Sequence, residues 1–272
     1  MIGCAITRLV LLDGSEEELP TEGVTVIVGP NNAGKTVLVR EIERLLSHRP
    51  DANSEGLILR DLALDTVGTF EDLMEWLNER GMPAREVLPR YRGEKFIGNV
   101  DQGGLTASEA NGVWANANER RLGKLSKFLV STLTPENRLQ MLGETGVHNL
   151  EREVPTSPLQ HVFAERTLEE RLSALMRHAF GFDVSLNRYN QGQLALRRGR
   201  PSIPDSPPPA SPELLAAYSA LPTLRQEGHG VQAFAGLLLH TIVTPAEVVL
   251  IDEPEAFLHP PQARLIGRVL VS

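Results

Sequence analysis

The residues best suited to chemistry lie in one glycine-rich stretch, Gly29-Pro-Asn-Asn-Ala-Gly-Lys-Thr36, whose spacing matches a phosphate-binding P-loop. Gly29 and Gly34 allow the backbone to approach a phosphate closely, so that successive N–H groups can surround it. Lys35 can reach the β- and γ-phosphate oxygens, and the Thr36 hydroxyl can ligate Mg²⁺. The predicted nucleotide-binding residues are Gly29, Pro30, Asn31, Asn32, Ala33, Gly34, Lys35, Thr36 and Val37.

A pair of acidic residues follows an apolar run near the other end of the chain, Val248-Val-Leu-Ile-Asp-Glu253. Four consecutive aliphatic residues predict a strand that is covered on both faces, and ligands in such sheets bind beyond the carboxyl end of the strand. This Walker B pattern predicts that Asp252 holds Mg²⁺, directly or through water. Glu253 would polarise or deprotonate the attacking water, so Glu253 and Lys35 are the candidate catalytic residues. The alternative is a buried strand that ends in an acidic turn.

The elements that must position these residues are also visible in the sequence. Gly23–Val28 is a β-branched run that predicts a strand leading into the P-loop, and the apolar spacing after it predicts a helix that begins near Gly34. Such a helix would point the positive end of its dipole at the phosphates. Lys35 and Asp252 are 217 positions apart (252 − 35), which predicts a sizeable insertion between the two motifs.

Other segments have clear local patterns. Thr69–Arg80 predicts an amphipathic helix with Thr69 as its N-cap and Asp72 as the capping partner. Lys127–Leu133 alternates like a strand, and Thr167–Phe180 predicts another helix. Further predicted elements are a hairpin around residues 190–192, a helix over 213–221, a helix over 231–241 that glycines open, and a final helix from 260 to 271.

Composition limits the classes of function. The 272 residues are 41% hydrophobic and carry a formal net charge of −8, which excludes a global basic surface for nucleic acid. The single cysteine, Cys4, excludes a disulfide framework and favours a reducing compartment. Ala233–Ile251 is apolar but contains His240, Pro245 and Glu247, so it is a poor candidate for a membrane span. We therefore expect a cytoplasmic protein with no membrane partner and no zinc site.

Three strings together resemble the ABC-type ATPase heads: the P-loop stretch, Glu227-Gly-His-Gly230, and Ile251-Asp-Glu-Pro-Glu-Ala-Phe-Leu-His-Pro260. Within that group they are most similar to the OLD-like and AAA-family ATPases of bacteria, relatives of RecF and SMC heads. The resemblance covers about 1–48 and 155–272. It implies an α/β fold with a mostly parallel P-loop NTPase sheet of ABC-ATPase type, an antiparallel N-terminal β part and a helical insertion.

The resemblance also implies a mechanism and further site residues. Two heads would pair as a homo-oligomer and enclose ATP and Mg²⁺, with Gly228, His229 and Gly230 of one head at the γ-phosphate of the other. Residues 255–259 would form the D-loop at the dimer seam. The family's Q-loop glutamine, which senses Mg²⁺, would be Gln160 or else Gln102, although a lone glutamine is also a common solvated loop residue.

Two departures from the family pattern affect these expectations. Glu227-Gly-His-Gly230 is a degenerate form of the signature motif, so phosphate contact there is less well supported. The sequence stops at Ser272, before the strand on which the family places its switch histidine, and His259 lies too close to Asp252 for that role. We therefore expect a piece of a longer protein, and a Toprim nuclease domain like that of OLD enzymes would lie outside it.

The resemblance and the composition together divide the chain into segments. These are an N-terminal half of the head (1–48), an insertion of unknown role (49–155), a lid-like helix and hairpin (156–200), a proline-rich loop (201–212), and the signature, Walker B and D-loop region (213–272).

Three classes of function fit these observations. The first is an ATPase whose ATP-dependent head pairing gates an effector partner or domain, as in anti-phage defence. The second is a RecF- or SMC-like ATPase of DNA repair or maintenance, for which a basic cluster in the hairpin region, Arg188, Arg197, Arg198 and Arg200, could meet DNA; its alternative is a solvated basic hairpin. The third is a transporter nucleotide-binding subunit, which the missing transporter signature disfavours. We rank the first highest.

Overall fold

The structure is a computed structural model. It describes residues 2–48, 56–79, 85–86, 95–97, 104–147, 155, 157–190, 192–204, 210–243 and 246–271. Gln102, the second Q-loop candidate, and residues 205–209 of the proline-rich loop lie outside the described residues.

Strands and helices alternate along the chain, which confirms the predicted mixed α/β class. The strands are β1 (Gly3–Leu11), β2 (Glu16–Glu18), β3 (Leu59–Val67), β4 (Arg85–Glu86), β5 (Lys95–Ile97), β6 (Leu105–Thr106), β7 (Val130–Leu133), β8 (Thr145–Gly146), β9 (Val184–Asn190), β10 (Gln193–Arg198) and β11 (Val248–Ile251). The helices are α1 (Lys35–Ser47), α2 (Phe70–Glu79), α3 (Ala107–Trp114), α4 (Ala117–Arg120), α5 (Ser126–Leu129), α6 (Pro135–Gln140), α7 (Pro158–Ala164), α8 (Arg166–Phe180), α9 (Pro212–Ala220), α10 (His229–Leu238) and α11 (Pro260–Leu270).

The chain forms two compact units. Unit 1 contains Met1–Thr132 and Ala246–Asp252, and unit 2 contains Leu133–Pro245 and Glu253–Ser272. The boundary after residue 132 falls inside the segment 49–155, which the sequence predicts as one insertion, and the last boundary separates Asp252 from Glu253. The P-loop and Asp252 therefore belong to unit 1, whereas the signature-like element belongs to unit 2.

Unit 1 is built around an antiparallel sheet with the strand order β2-β1-β3. Alternate side chains of β1 and β3 point into its core, where Ile6, Leu9, Leu62 and Leu64 are buried against α1 and α2. This agrees with the antiparallel N-terminal part expected from the sequence. Burial also raises the pKa of the Cys4 thiol to about 12, so the only cysteine of the chain is held in its unreactive protonated form.

The strand predicted to lead into the P-loop is not formed. Residues 24–28 have no strand geometry, and their side chains are exposed, with Val26 73% and Val28 85% accessible. A β-branched run becomes a strand only when a neighbour supplies hydrogen bonds and a packing surface, and no strand of the described residues pairs with this one. The described part of the chain accordingly has small sheets, with antiparallel pairings in those built on β1, β5 and β10, in place of the expected mostly parallel sheet.

Unit 2 packs helices against the hairpin of β9 and β10. The pairing of β9 with β10 is antiparallel and confirms the predicted hairpin. Its core includes Leu172 and Met176 of α8, and Phe180 contacts Phe234 of α10 edge to face at 5.3 Å. The apolar helix α10 begins at His229, directly after Gly228, and continues as a π-helical turn over Leu239–Val243.

Most of the other elements predicted from local patterns are confirmed, and a second predicted strand is partly wrong. Thr69 and Asp72 cap α2 reciprocally, because the Asp72 N–H donates to Thr69 Oγ1 at 3.1 Å and the Thr69 N–H donates to Asp72 Oδ2 at 2.8 Å. The predicted strand Lys127–Leu133 is half helical: α5 occupies its first part and β7 the rest. Leu125 and Leu129 are both buried, and this i, i+4 spacing favours a helical turn over an extended strand.

None of the helices in the described part of the chain combines the length and apolar character that crossing a lipid bilayer requires.

A buried carboxylate ties α1 to the start of β3. Glu41 accepts hydrogen bonds from the backbone N–H groups of Leu57, Ile58 (3.0 Å) and Leu59 (2.7 Å). Burial alone would raise the pKa of Glu41, but these three hydrogen bonds outweigh it, and the pKa lies below its ordinary value of 4.5. A Cβ added at Gly34 would lie only 2.7 Å from Ile58 Cδ1. Ile58, whose N–H group donates to Glu41, therefore packs directly against the P-loop.

Replacing Glu41 by glutamine should destabilise the protein at neutral pH by about 2 kcal/mol, because the new amide would direct N–H donors at backbone donors. A carboxylate with a lowered folded-state pKa stabilises fully above its unfolded pKa, about 4.3, and loses this contribution as pH falls through the folded value. The difference between Glu41→Gln and the wild type should therefore narrow below about pH 4. Urea unfolding followed by circular dichroism at pH 7 and at acidic pH measures both effects.

Glu43→Gln is the matched control, because Glu43 is exposed on the same helix. It should change the free energy of unfolding by less than about 0.5 kcal/mol. Equal stability of Glu41→Gln and Glu43→Gln at pH 7 would show that the Glu41 carboxylate does not anchor β3.

Candidate nucleotide site

The P-loop forms a tight turn that opens α1. Asn32 and Gly34 both have positive φ, +63° and +87°, and Gly34 is the N-cap residue of α1. The Ala33 N–H donates to Pro30 O at 3.2 Å, which closes the turn, and the Leu38 N–H donates to Gly34 O at 2.9 Å in the first helical turn. The first turn of α1 carries no acidic side chain of its own, which favours an anion at this helix end.

Lys35 lies along the loop that it would serve. Its Nζ donates to Gly29 O and to Pro30 O, both at 2.9 Å. The ammonium group is therefore held at the start of the loop by two neutral carbonyl acceptors. A phosphate oxygen carries a full charge and is a stronger acceptor than a carbonyl, so it can displace these contacts.

The two nucleotide-binding motifs meet through one hydrogen bond. Thr36 Oγ1 donates to Asp252 Oδ2 at 2.7 Å, although the residues are 216 positions apart. Asp252 is buried, with 5% of its surface accessible, and it follows β11 directly, as the sequence predicts. β11 pairs with β7 in a two-stranded sheet and packs in unit 1 against α1 and β1.

This donor set fits Mg²⁺. The cation prefers hard oxygen ligands in octahedral geometry, in which neighbouring ligand oxygens lie about 2.9 Å apart. The hydroxyl of Thr36 and the carboxylate of Asp252 are oxygen donors of this kind, and their hydrogen bond places them side by side. Binding of Mg²⁺ with a nucleotide by these two residues, with Asp252 acting either directly or through a water molecule, stays a prediction.

Glu253 has an unusual backbone conformation. It is exposed, its φ is +46°, and its carbonyl accepts the Ala256 N–H at 2.9 Å in a turn. Left-handed φ is uncommon for residues other than glycine and is often found at functional sites. Glu253 follows Asp252 directly in the chain but belongs to unit 2, so its predicted catalytic role stays a prediction.

The signature-like element lies at the start of α10. Gly228 and His229 are exposed, and the His229 ring contacts the Phe257 ring at 5.6 Å. A Cβ on Gly230 would lie 2.8 Å from Phe257 O, so only glycine fits this close backbone approach. Two segments that the resemblance assigns to the dimer seam, the signature and the D-loop region, thus pack against each other in unit 2. Contact of Gly228, His229 and Gly230 with a partner's nucleotide stays a prediction.

Gln160 is a buried residue of α7. Its side-chain Nε2 donates to Gly146 O at 2.9 Å, and its backbone N–H donates to Ser157 Oγ at 3.4 Å, so its amide joins α7 to β8. The residue lies in unit 2, and the Mg²⁺-sensing role suggested by the resemblance stays a prediction.

The arginines of the hairpin region are engaged within the protein. Arg188 pairs with Glu169, Arg197 donates to Leu221 O at 3.1 Å, and Arg200 lies 3.7 Å from Asp183. The Arg198 guanidinium lies over the Phe182 ring and pairs with the carboxylate of Glu227 at 3.2 Å. Glu227 is the residue immediately before the signature-like glycines. These contacts favour the reading of the cluster as part of the protein's own charge pairing over a surface for DNA phosphates.

Two residues that hold the backbone near the candidate site, Glu41 and Arg138, were not predicted from the sequence. Glu41 falls on the buried face of α1, between Leu38 and Ile42, and an acid at that position was a usable signal. Arg138 is fully buried and contacts the backbone after Asp252, and no local pattern marks it.

Comparison with known proteins gives limited guidance. No protein-family model matches the sequence, and no curated protein matches it. Among solved structures the chain is similar to an SMC head bound to the C-winged helix domain of ScpA, with a TM-score of 0.49 and 14% identity, over 98% of this chain and 86% of that one. A similarity this distant assigns no activity to the chain.

Proposed function

We propose that this chain is an ABC-type ATPase head that binds Mg-ATP and hydrolyses it to ADP and phosphate. The observation that carries the proposal is the hydrogen bond between Thr36 and Asp252. It joins a phosphate-loop threonine to the carboxylate at the end of an apolar strand, which is the arrangement that holds Mg²⁺ in P-loop nucleotidases. Lys35 would neutralise charge on the β- and γ-phosphates.

In this proposal each residue has a separate task. The N–H groups of the loop and of the first turn of α1 bind the phosphates. Thr36 and Asp252 would hold Mg²⁺, which when bound neutralises the negative charge that develops on the phosphates. Glu253 orients and polarises the water that attacks the γ-phosphate. Charge stabilisation and alignment supply most of the rate in such reactions.

We further propose that ATP pairs two heads and that pairing gates an effector partner or domain. The exposure of Gly228 and His229 at the start of α10 and the close packing of Gly230 against Phe257 support this part, together with the resemblance of these motifs to the OLD-like ATPases. A role in anti-phage defence rests on that resemblance alone. The DNA-maintenance alternative is less well supported, because Arg188 pairs with Glu169 and Arg197 donates to the Leu221 carbonyl within the protein.

Release of phosphate from Mg-ATP by the purified chain tests the activity, with Asp252→Asn as the key variant. The substitution keeps the shape of the side chain and removes the charge that would hold Mg²⁺, so turnover should fall by at least about 100-fold. Raising the Mg²⁺ concentration should recover part of the loss.

Asp65→Asn is the matched control, because Asp65 is exposed on β3 in the same unit. It should hydrolyse ATP at the wild-type rate. A wild-type chain that neither binds nor hydrolyses Mg-ATP would refute the proposed activity, and unchanged turnover in Asp252→Asn would remove Asp252 from it.

A further inference from the structure

Arg138 is a fully buried charged residue in unit 2. An arginine side chain is charged at every physiological pH, and taking it out of water is costly unless its N–H groups find good acceptors. It lies on α6, a short helix fixed at its start by reciprocal hydrogen bonds between Thr134 and Asn137. A buried arginine on so short a helix needs a reason beyond the packing of that helix.

The contacts of its guanidinium give that reason. Nη2 donates to Glu253 O at 2.8 Å, Nη1 donates to Pro254 O at 3.3 Å, and Nε donates to Thr134 O at 3.1 Å. One rigid, planar group therefore joins the start of α6 to the two residues that follow Asp252. Its fork geometry fixes both the position and the direction of those carbonyl groups.

The segment that it holds would not keep its shape unaided. Glu253 has a φ of +46°, and a left-handed residue with a side chain persists only when its surroundings hold it there. The Glu253 carbonyl accepts from both Arg138 and the Ala256 N–H. These two hydrogen bonds set the orientation of the peptide group after Glu253, and with it the direction in which the Glu253 side chain leaves the backbone.

The backbone of Arg138 is also in contact with α10. A Cβ on Gly236 would lie 2.3 Å from Arg138 O, so the backbones of α10 and α6 are in direct contact at this point. Arg138 consequently has little freedom to shift. Arg138 therefore contacts both α10, the helix that begins at the signature-like glycines, and the turn that contains Glu253.

We infer that Arg138 is a positioning residue, which aims the Glu253 carboxylate by clamping the carbonyl groups of Glu253 and Pro254. The inference rests on the proposed function, in which Glu253 polarises the attacking water. It assigns to Arg138 no contact with nucleotide, Mg²⁺ or water. Its effect on the reaction is transmitted through the backbone of Glu253.

The test is Arg138→Lys, which keeps the buried charge but replaces the planar fork by a single ammonium group that cannot hold both carbonyls in the same geometry. The value of kcat for ATP should fall roughly 10-fold or more, because small misplacements of a reacting group cost large factors in rate. The Kd of a fluorescent ATP analogue should stay within about 2-fold, since the P-loop contacts are unchanged. Arg171→Lys is the control, because Arg171 is exposed on α8 of the same unit, and it should change neither value.

A double variant separates positioning from general stability. If Arg138 acts through Glu253, then Arg138→Lys should cost less than about 2-fold in kcat when Glu253→Gln is already present. A further loss as large as that in the wild-type background would overturn the inference. If Arg138→Lys does not fold, Arg138→Gln takes its place, and loss of the helical circular dichroism signal in both would assign Arg138 to stability alone and overturn the inference too.

The outcomes distinguish this inference from the proposed function. Absence of turnover in the wild-type chain would refute the function. Turnover in the wild type that is slowed by Glu253→Gln but unaffected by Arg138→Lys would leave the function intact and refute only the role of Arg138.

Discussion

Lys35→Ala should abolish measurable binding of Mg-ATP. The ammonium group of Lys35 lies within the P-loop, 2.9 Å from the carbonyls of Gly29 and Pro30, and would exchange these contacts for phosphate oxygens. Two charge-assisted hydrogen bonds are worth about 1.5–3 kcal/mol each, so their loss should raise the Kd for ATP by at least about 100-fold. Isothermal titration with Mg-ATP measures the change directly.

Arg40→Ala is the matched control for Lys35→Ala. Arg40 is a basic residue on the exposed side of the same helix, and its removal lowers the net charge of the protein equally. It should bind Mg-ATP within about 2-fold of the wild type, because interactions between exposed charges are weak. Tight binding retained by Lys35→Ala would contradict the P-loop assignment, provided that its thermal unfolding matches that of Arg40→Ala.

Glu253→Gln should bind ATP as tightly as the wild type and hydrolyse it about 100- to 10,000-fold more slowly, which is the usual contribution of a general base. Glutamine has the same shape as glutamate, so the turn with its φ of +46° should be preserved while the charge that polarises water is lost. Single-turnover hydrolysis of labelled ATP gives the rate. Light scattering after size exclusion, with and without Mg-ATP, gives the mass of the trapped state, which should change from monomer to dimer only with the nucleotide.

Glu170→Gln provides the control, since Glu170 is exposed on α8 of the same unit and has no assigned role in the site. It should turn over ATP at the wild-type rate. Undiminished hydrolysis by Glu253→Gln would remove Glu253 from the reaction. An unchanged mass with full ATP binding would refute ATP-dependent pairing of this chain and leave the nucleotide site itself unaffected.

The elements predicted correctly from the sequence are those specified by residues close together in the chain. The helix after the P-loop, the strand before Asp252 and the glycine-opened helix α10 all begin and end within a few residues of their predicted bounds. Thr36 and Asp252, which the sequence analysis assigns to one Mg²⁺ ion, lie within hydrogen-bonding distance of each other. In each of these cases spacing and residue type carry the information.

The failures have a common physical cause, which is dependence on a distant partner. Residues 24–28 have every local property of a strand, yet a strand needs a neighbour, and the described chain supplies none. Arg138 is an ordinary residue in its own segment and acquires its role only from carbonyl groups 115 and 116 positions away. The pattern of a single sequence does not show which residues far apart in the chain will contact each other.

The two-part composition of unit 1 has a consequence for how the protein is made. Its first piece ends at Thr132 and its second piece begins at Ala246, so the ribosome completes all of unit 2's first segment before β11 and Asp252 exist. At about 5–20 residues per second, the 120 residues from 133 to 252 (252 − 132) take on the order of 10 s to synthesise. Throughout that interval the nascent chain carries a P-loop with no Asp252 beside Thr36. In the proposed function, Mg-ATP can therefore engage Thr36 and Asp252 together only after residue 252 has been synthesised, when the first segment of unit 2 is already complete.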